Sequence, residues 1–337
     1  MQPLGRAVDE LARAGGFSGV VHVDRDGEVE VASAYGLAHR AHEIPNTLDT
    51  QFAIASGTKG FTAVAVATLI ADGSLTLSTS ARSVLGRDLP LIPDDVTVEH
   101  LLSHRSGIGD YLDEELDHDV DDYLMRVPVH ELATTEDYLA ALDGQATKFE
   151  PGERFAYCNS GYVVLALIAE RIARIPFHEL VRHRVCEPAG MSDTAFLRSD
   201  ELPKRAALGY VSNGRGSRTN VLHLPVRGSG DGGIYSTVAD LSAFWRALFD
   251  GHIVSSDWVA ELVRPRSDAP RASRRYGLGF WLDQATDAVM LEGSDAGVSF
   301  RSVHDRDRRL TQTVISNTSS GAWPIARLLA ERNDRRS

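Results

Sequence analysis

Ser56 and Lys59 stand three residues apart in the stretch Phe52-Ala-Ile-Ala-Ser56-Gly-Thr-Lys59-Gly-Phe-Thr-Ala-Val-Ala-Val-Ala-Thr-Leu-Ile-Ala-Asp72-Gly73. Residues at that spacing share a helix face, so a helix opening near Ser56 brings a hydroxyl and an amine within reach of each other. Such a pair is a nucleophile beside a base. The helix N-terminus adds unsatisfied N–H groups and partial positive charge, which favour an alkoxide and can donate to an oxyanion. A Ser-x-x-Lys tetrapeptide recurs by chance, so the reading depends on what else the chain supplies.

Tyr157-Cys-Asn159 follows about a hundred residues later, and Leu291-Glu292-Gly293-Ser294 places a glycine–serine turn on a late strand. Alone, Tyr157 reads equally as a core aromatic, and Asn159 or Ser160 as the cap of the helix that follows. Other chemistries lack their parts. His100 and His104 are four apart without the glutamate of a zinc-protease helix, so His104 is expected to cap or to fill the core. Residues 228 to 233, Gly-Ser-Gly-Asp-Gly-Gly, satisfy the dinucleotide glycine pattern literally, but no strand precedes them in a βαβ unit and a tight turn is expected. Asp110 to Asp122 holds eight carboxylates without the glycine and terminal glutamate of a calcium loop, and reads as a solvated, mobile loop near a pocket. No metal or cofactor is implied. Gly-x-Ser-x-Gly is absent, which weighs against an α/β-hydrolase.

The elements that must position these residues are legible from periodicity and turn chemistry. Helical spacing over residues 2 to 14 is closed by Gly15-Gly16. Strands at 18–24 and 29–35 flank Arg25-Asp26-Gly27, a hairpin signal. The helix after Lys59 is apolar on every side, predicting burial all round, and Asp72-Gly73 ends it. From Gly73 to about residue 224 the pattern is helical and loop-rich, with a short helix over 96–104 and a longer one over 162–174. Strands return at 276–282, 288–292, 298–303 and 310–317, before a last helix through 325–331. If they join the first hairpin in one sheet, the helical segment is an excursion from it. The expected division is a sheet domain of residues 1–60 and 225–337, a helical domain of 61–224, and an active site between them.

Composition sets bounds on function. A chain of 337 residues can bury a large core, and 43% hydrophobic with 24% charged residues is ordinary for a soluble protein. A net charge of −12 argues against nucleic acid, whose phosphates need clustered Lys and Arg. No apolar run of about 18 residues offers a membrane span. The N-terminus lacks the pattern of a secretory signal, and Cys158 and Cys186 are too few for a disulfide framework, so a cytoplasmic location is expected.

In order along the chain, Ser56-Gly-Thr-Lys59, Tyr157-Cys-Asn159 and the Gly293-Ser294 turn resemble the serine β-lactamase and penicillin-recognising hydrolase superfamily. Within it the match is to class C β-lactamases, DD-peptidases and family VIII esterases. Leu101-Leu-Ser-His-Arg-Ser-Gly107, Cys186-Glu-Pro-Ala-Gly-Met191, Gly232-Gly-Ile-Tyr-Ser-Thr237 and Tyr276-Gly-Leu-Gly279 look family-like too, so that the resemblance covers about residues 18 to 320. It implies an α+β fold, an antiparallel sheet flanked by helices with a mostly helical insertion. It also implies acyl transfer through an acyl-enzyme on Ser56, with Lys59 and Tyr157 sharing its proton, Asn159 orienting substrate or Lys59, and backbone N–H groups of Ser56 and Ser294 as oxyanion hole. Which of Lys59 and Tyr157 is the base stays open. The sequence departs from the family at Leu291, where Lys or His usually stands, and Glu292 is expected to make the neighbourhood negative. Weak or absent β-lactamase and DD-peptidase activity follows, with small uncharged ester or amide substrates. An acyltransferase on the same residues and a catalytically impaired homologue that binds a ligand or partner are the alternatives.

Overall fold

A computed structural model of the chain describes residues 3–116, 120–212, 216–269 and 273–334. Among them an eight-stranded antiparallel sheet forms the frame. Its strands are β1 (Gly19–Arg25), β2 (Glu28–Tyr35), β3 (Ser267–Ala269), β4 (Arg274–Tyr276), β5 (Trp281–Leu282), β6 (Val289–Asp295), β7 (Val298–Asp305) and β8 (Leu310–Ser316), in the order β2-β1-β8-β7-β6-β5-β4-β3. The N-terminal hairpin thus pairs with the C-terminal strands, Val20 opposite Ile315 and Val21 opposite Val314. Asp26 and Gly27, both at positive φ, make the tight turn between β1 and β2. The strand expected over 276–282 is broken. Gly277-Leu-Gly279 turns the chain back, with Gly279 at φ +90° lying where a Cβ would strike Ala63, so β4 and β5 become separate strands of a small hairpin.

Strand alternation divides the core. Val21, Val23 and Val314 face one layer, packed with Val8, Ala12, Ile325 and Leu329 from helices α1 (Leu4–Ala14) and, at the chain's far end, Ala322–Asp334. Val20 and Ile315 face the other layer, which carries α2 (Thr58–Ala71) and the helix Val238–Phe249. There Trp245 donates its indole N–H to Ser302 at 2.8 Å. Every residue of α2 from Thr58 to Leu69 is buried, as its all-round apolar sequence predicts. Each large side chain buried there contributes on the order of 1.5–3 kcal/mol, so α2 is anchored from all sides rather than by one stripe.

The segment between α2 and residue 224 contributes α3 (Val98–Leu102) and α4 (Asn159–Ala173), which pack against each other, α4 also against α2. Thr97 and His100 close the start of α3 in a capping box, which accounts for His100. Among the described residues no helix is long and apolar enough to cross a membrane.

Candidate active site

The Ser56 turn is built by three neighbours. A two-residue strand, Phe52–Ala53, pairs with Tyr235–Ser236, and Ile54 donates its N–H to the Ile234 carbonyl at 3.0 Å. The chain then turns through Ala55, at φ +44°, into a 3-10 turn over Ala55–Gly57 before α2 begins at Thr58. The α-helix therefore opens two residues later than the spacing predicts, and Ser56 sits on the tighter turn before it. Thr58 fastens this turn twice, donating to the Ala55 carbonyl at 2.7 Å and accepting from the Ile234 N–H at 3.1 Å.

Lys59 is 1% exposed, and its Nζ meets three oxygens: Ser56 Oγ at 3.0 Å, Asn159 Oδ1 at 2.7 Å and the Asp231 carbonyl at 2.8 Å. The last two can only accept, whereas the serine hydroxyl can donate. As an ammonium Lys59 donates to all three; as a neutral amine it donates to the last two and turns its lone pair to the Ser56 hydroxyl. Burial lowers the Lys59 pKa, against the raising pull of Asp231, Glu114 and Asp110. The nearby Ser56 hydroxyl favours the Tyr157 phenolate, yet that phenol is held well above the ordinary value, first by burial and then by Glu114. The Ser56 oxygen thus lies between an amine pushed toward neutrality and a phenol kept protonated.

Tyr157, in the loop before α4, and Asn159, the first residue of α4, reach this point together. The Tyr157 ring stacks on Trp281 at 5.9 Å and 8°, and its face lies 4.8 Å from Lys59 Nζ. Asn159 donates its amide to the Leu112 carbonyl at 2.9 Å and to Glu114 at 3.3 Å, which fixes Oδ1 toward Lys59. The cap of α4 is neither Asn159 nor Ser160, as their types suggest. Asp110 supplies it from outside, accepting from the Asn159 N–H at 2.8 Å and the Ser160 N–H at 2.9 Å. With its own side chain freed from capping, Asn159 serves Lys59. Burial raises the Asp110 pKa to about 6 despite those bonds.

On β6, Gly293 is pressed against the turn. A Cβ there would lie 2.1 Å from the Ile54 carbonyl and 2.9 Å from the Ser56 nitrogen, so only glycine lets the strand approach. This brings the backbone at Gly293, one residue before Ser294, beside that of Ser56. Strand β5 pairs with β6 only at Met290 and Val289, so the segment carrying Gly293 and Ser294 is not covered by that neighbour. Leu291 is 2% exposed and packs on α2 at Gly60. Glu292 corrects the expectation of a negative neighbourhood. Strand alternation turns it to the opposite face from Leu291, where Arg274 at 3.1 Å and Arg301 at 2.5 Å neutralise it.

The acidic stretch is also less free than its composition suggests. Asp110 is buried, Asp113 pairs with Lys148 at 2.9 Å, and Glu115 with Arg154 at 3.3 Å. Residues 117–119 of that stretch lie outside the described ones. A cavity that reaches Ala55 of the Ser56 turn is lined also by Tyr111, Val226, Asp231, Tyr235 and Asp295, among other residues, and among the described residues no Lys, Arg or His lines it. Asp231 accepts from the Tyr111 hydroxyl, and burial raises both carboxyls, Asp295 to about 7. Sequence reasoning gave no site role to Trp281 or to either of these aspartates, and read Asp110 as part of a solvated loop. The one signal was the glycine-rich run 228–233, whose turn carries Asp231 to Lys59.

The family model for beta-lactamase matches residues 4–332. The chain belongs to the beta-lactamase family. Among solved structures, this family member is similar to a penicillin-binding protein from Bacillus halodurans, with 33% identity and a TM-score of 0.90 over 96% of this chain and 99% of that one. Among curated relatives, a D-aminopeptidase from Brucella anthropi is 28% identical over 92% of the chain, and Esterase EstB from Burkholderia gladioli 32% identical over 57%. The chain spans 58% and 49% of the lengths of those two relatives. The family therefore includes serine hydrolases of esters and amides, on a mixed fold of helices and antiparallel sheet.

Proposed function

We propose that this beta-lactamase family member is a serine hydrolase that forms an acyl-enzyme on Ser56 and acts on small esters or amides with uncharged acyl groups. The observation that carries the reading is the 3.0 Å contact between Ser56 Oγ and a buried Lys59 whose other two partners are obligate acceptors. Lys59 takes the Ser56 proton as the oxygen attacks the acyl carbon, and the developing oxyanion is met by the Ser56 and Ser294 N–H groups. Tyr157, protonated, hands its proton to the leaving alkoxide or amine and recovers it through Lys59. Water then enters by the same route in reverse. An alcohol or amine in place of water makes the enzyme an acyltransferase on the same residues.

Leu291 supplies no positive charge for a substrate carboxylate, which supports weak or no action on β-lactams. The assembled Ser56–Lys59–Asn159 contacts weigh against the catalytically impaired alternative. The free, buried Cys158 and Cys186 suit a reducing compartment. A second reading is favoured by Asp231 and Asp295. Two acidic side chains in a cavity that no Lys, Arg or His among the described residues lines fit an acyl group bearing a protonated amine, in keeping with the name of the D-aminopeptidase relative.

The test is hydrolysis of p-nitrophenyl butyrate by the wild type and by Ser56→Ala, each checked for folding. Turnover that collapses in the variant supports the hydrolase. Equal rates at background for both refute it for simple acyl esters, and D- and L-phenylalanine p-nitroanilides then decide the amine-bearing class.

A further inference from the structure

We propose that His104 is a positioning residue that holds the Tyr157 phenol against Ser56, an inference that rests on the acyl-transfer reading above. His104 touches both chain neighbours of Tyr157. Its backbone carbonyl accepts from the Ala156 N–H at 2.9 Å, and its ring Nδ1 accepts from the Cys158 N–H at 3.0 Å. The same ring lies against Tyr157, centroids 4.3 Å apart and planes inclined by 34°. With Trp281 stacked on Tyr157 as well, the phenol is fixed through its ring and through the backbone on either side.

The imidazole is retained at a cost. A ring nitrogen that accepts carries no proton, so neutral His104 bears its hydrogen on Nε2. That atom is buried without a hydrogen-bond partner among the described residues, on a ring whose centroid lies 5.0 Å from that of Tyr162, 4.7 Å from that of Tyr276 and 5.8 Å from that of Phe155. Phenylalanine would fill such an aromatic pocket and orphan no donor there. What it lacks is the Nδ1 lone pair, and without it the buried Cys158 N–H loses its acceptor. Burial holds the His104 pKa well below its ordinary range, which keeps that lone pair available. His104 also stands at φ +55°, in the left-handed region a non-glycine residue seldom occupies, where the chain swings its ring back toward Tyr157.

The experiment compares His104→Phe, which keeps a ring and loses the acceptor, with His104→Asn, whose side-chain oxygen takes the place of Nδ1. Each is made in the wild type and in Tyr157→Phe. Rates are read on ethyl butyrate, whose leaving group needs a proton, and on p-nitrophenyl butyrate, whose leaving group does not. If His104 acts through Tyr157, His104→Phe lowers kcat on the ethyl ester by roughly 10²-fold with KM nearly unchanged, and on the nitrophenyl ester by about tenfold less. His104→Asn recovers most of the loss, and in the Tyr157→Phe background His104→Phe has an effect of less than about twofold. Equal losses in both backgrounds overturn the proposal, as does a His104→Asn enzyme no better than His104→Phe. Crystal structures of the variants give a readout that needs no turnover. A Tyr157 hydroxyl displaced from Ser56 in His104→Phe and restored in His104→Asn supports the proposal, and one unmoved in both refutes it. Absence of Ser56-dependent turnover in the wild type would instead refute the hydrolase reading, and those structures would still decide the role of His104.

Discussion

Replacing Lys59 by Met separates the base from the scaffold, because methionine keeps most of the apolar stem and removes only the amine. Two acceptors, Asn159 Oδ1 and the Asp231 carbonyl, lose their donor. At about 1 kcal/mol for each lost hydrogen bond the direct cost is roughly 2 kcal/mol. The larger effect is on pH dependence. The Lys59 pKa is lowered by burial, so between its folded value and the ordinary ~10.4 the unfolded chain binds a proton that the native protein does not. With more protons bound in the unfolded state, stability rises with pH across that window. The gain is complete above the ordinary value and is lost as pH falls toward the folded one. The Met variant has no such proton. The stability difference, wild type minus variant, is therefore expected to grow in favour of the wild type by about 1.4 kcal/mol per pH unit. Urea unfolding at half-unit intervals from pH 7 to 10 measures it, with equal m-values required. In parallel kcat/KM on p-nitrophenyl butyrate should fall by roughly 10²- to 10⁴-fold. A stability difference flat across those pH values would refute the neutral amine, since Lys59 would then carry the same charge folded and unfolded.

Gly293→Ala is expected to lower kcat by roughly 10²-fold, because its methyl group would lie 2.1 Å from the Ile54 carbonyl and must push β6 from the Ser56 N–H; steady-state kinetics on a folded variant checks it, and unchanged kcat would remove Ser294 from the oxyanion hole. Asp110→Ala orphans the N–H groups of Asn159 and Ser160, and a loss of about 1–3 kcal/mol in urea unfolding is expected. Leu291→Lys should raise the rate of labelling by a fluorescent penicillin while lowering stability, since the side chain it replaces is 2% exposed against α2. No gain in labelling by a folded variant would show that the missing cation is not what limits β-lactam acylation.

The parts of this protein that were legible in the sequence are those fixed by local geometry. Three-residue spacing at a helix start places Lys59 beside Ser56 whatever surrounds them, and Asp26-Gly27 turns a hairpin by its own backbone preferences. An all-round apolar pattern likewise predicted the burial of α2, and the late strands at 288–292, 298–303 and 310–317 were located. The rest was decided by residues far apart in the chain. Asp110 displaces Asn159 and Ser160 as the cap of α4, so a side chain that local rules assign to capping serves Lys59 instead. Glu292 is adjacent to the site in sequence, yet one step along a strand reverses its face, and Arg274 and Arg301 neutralise it there. The approach of Asp231, Tyr157 and Asn159 to one buried amine depends on how the helical segment packs on the sheet. Burial sets the charge of that amine, and burial is a property of the assembled fold that no short stretch of sequence carries.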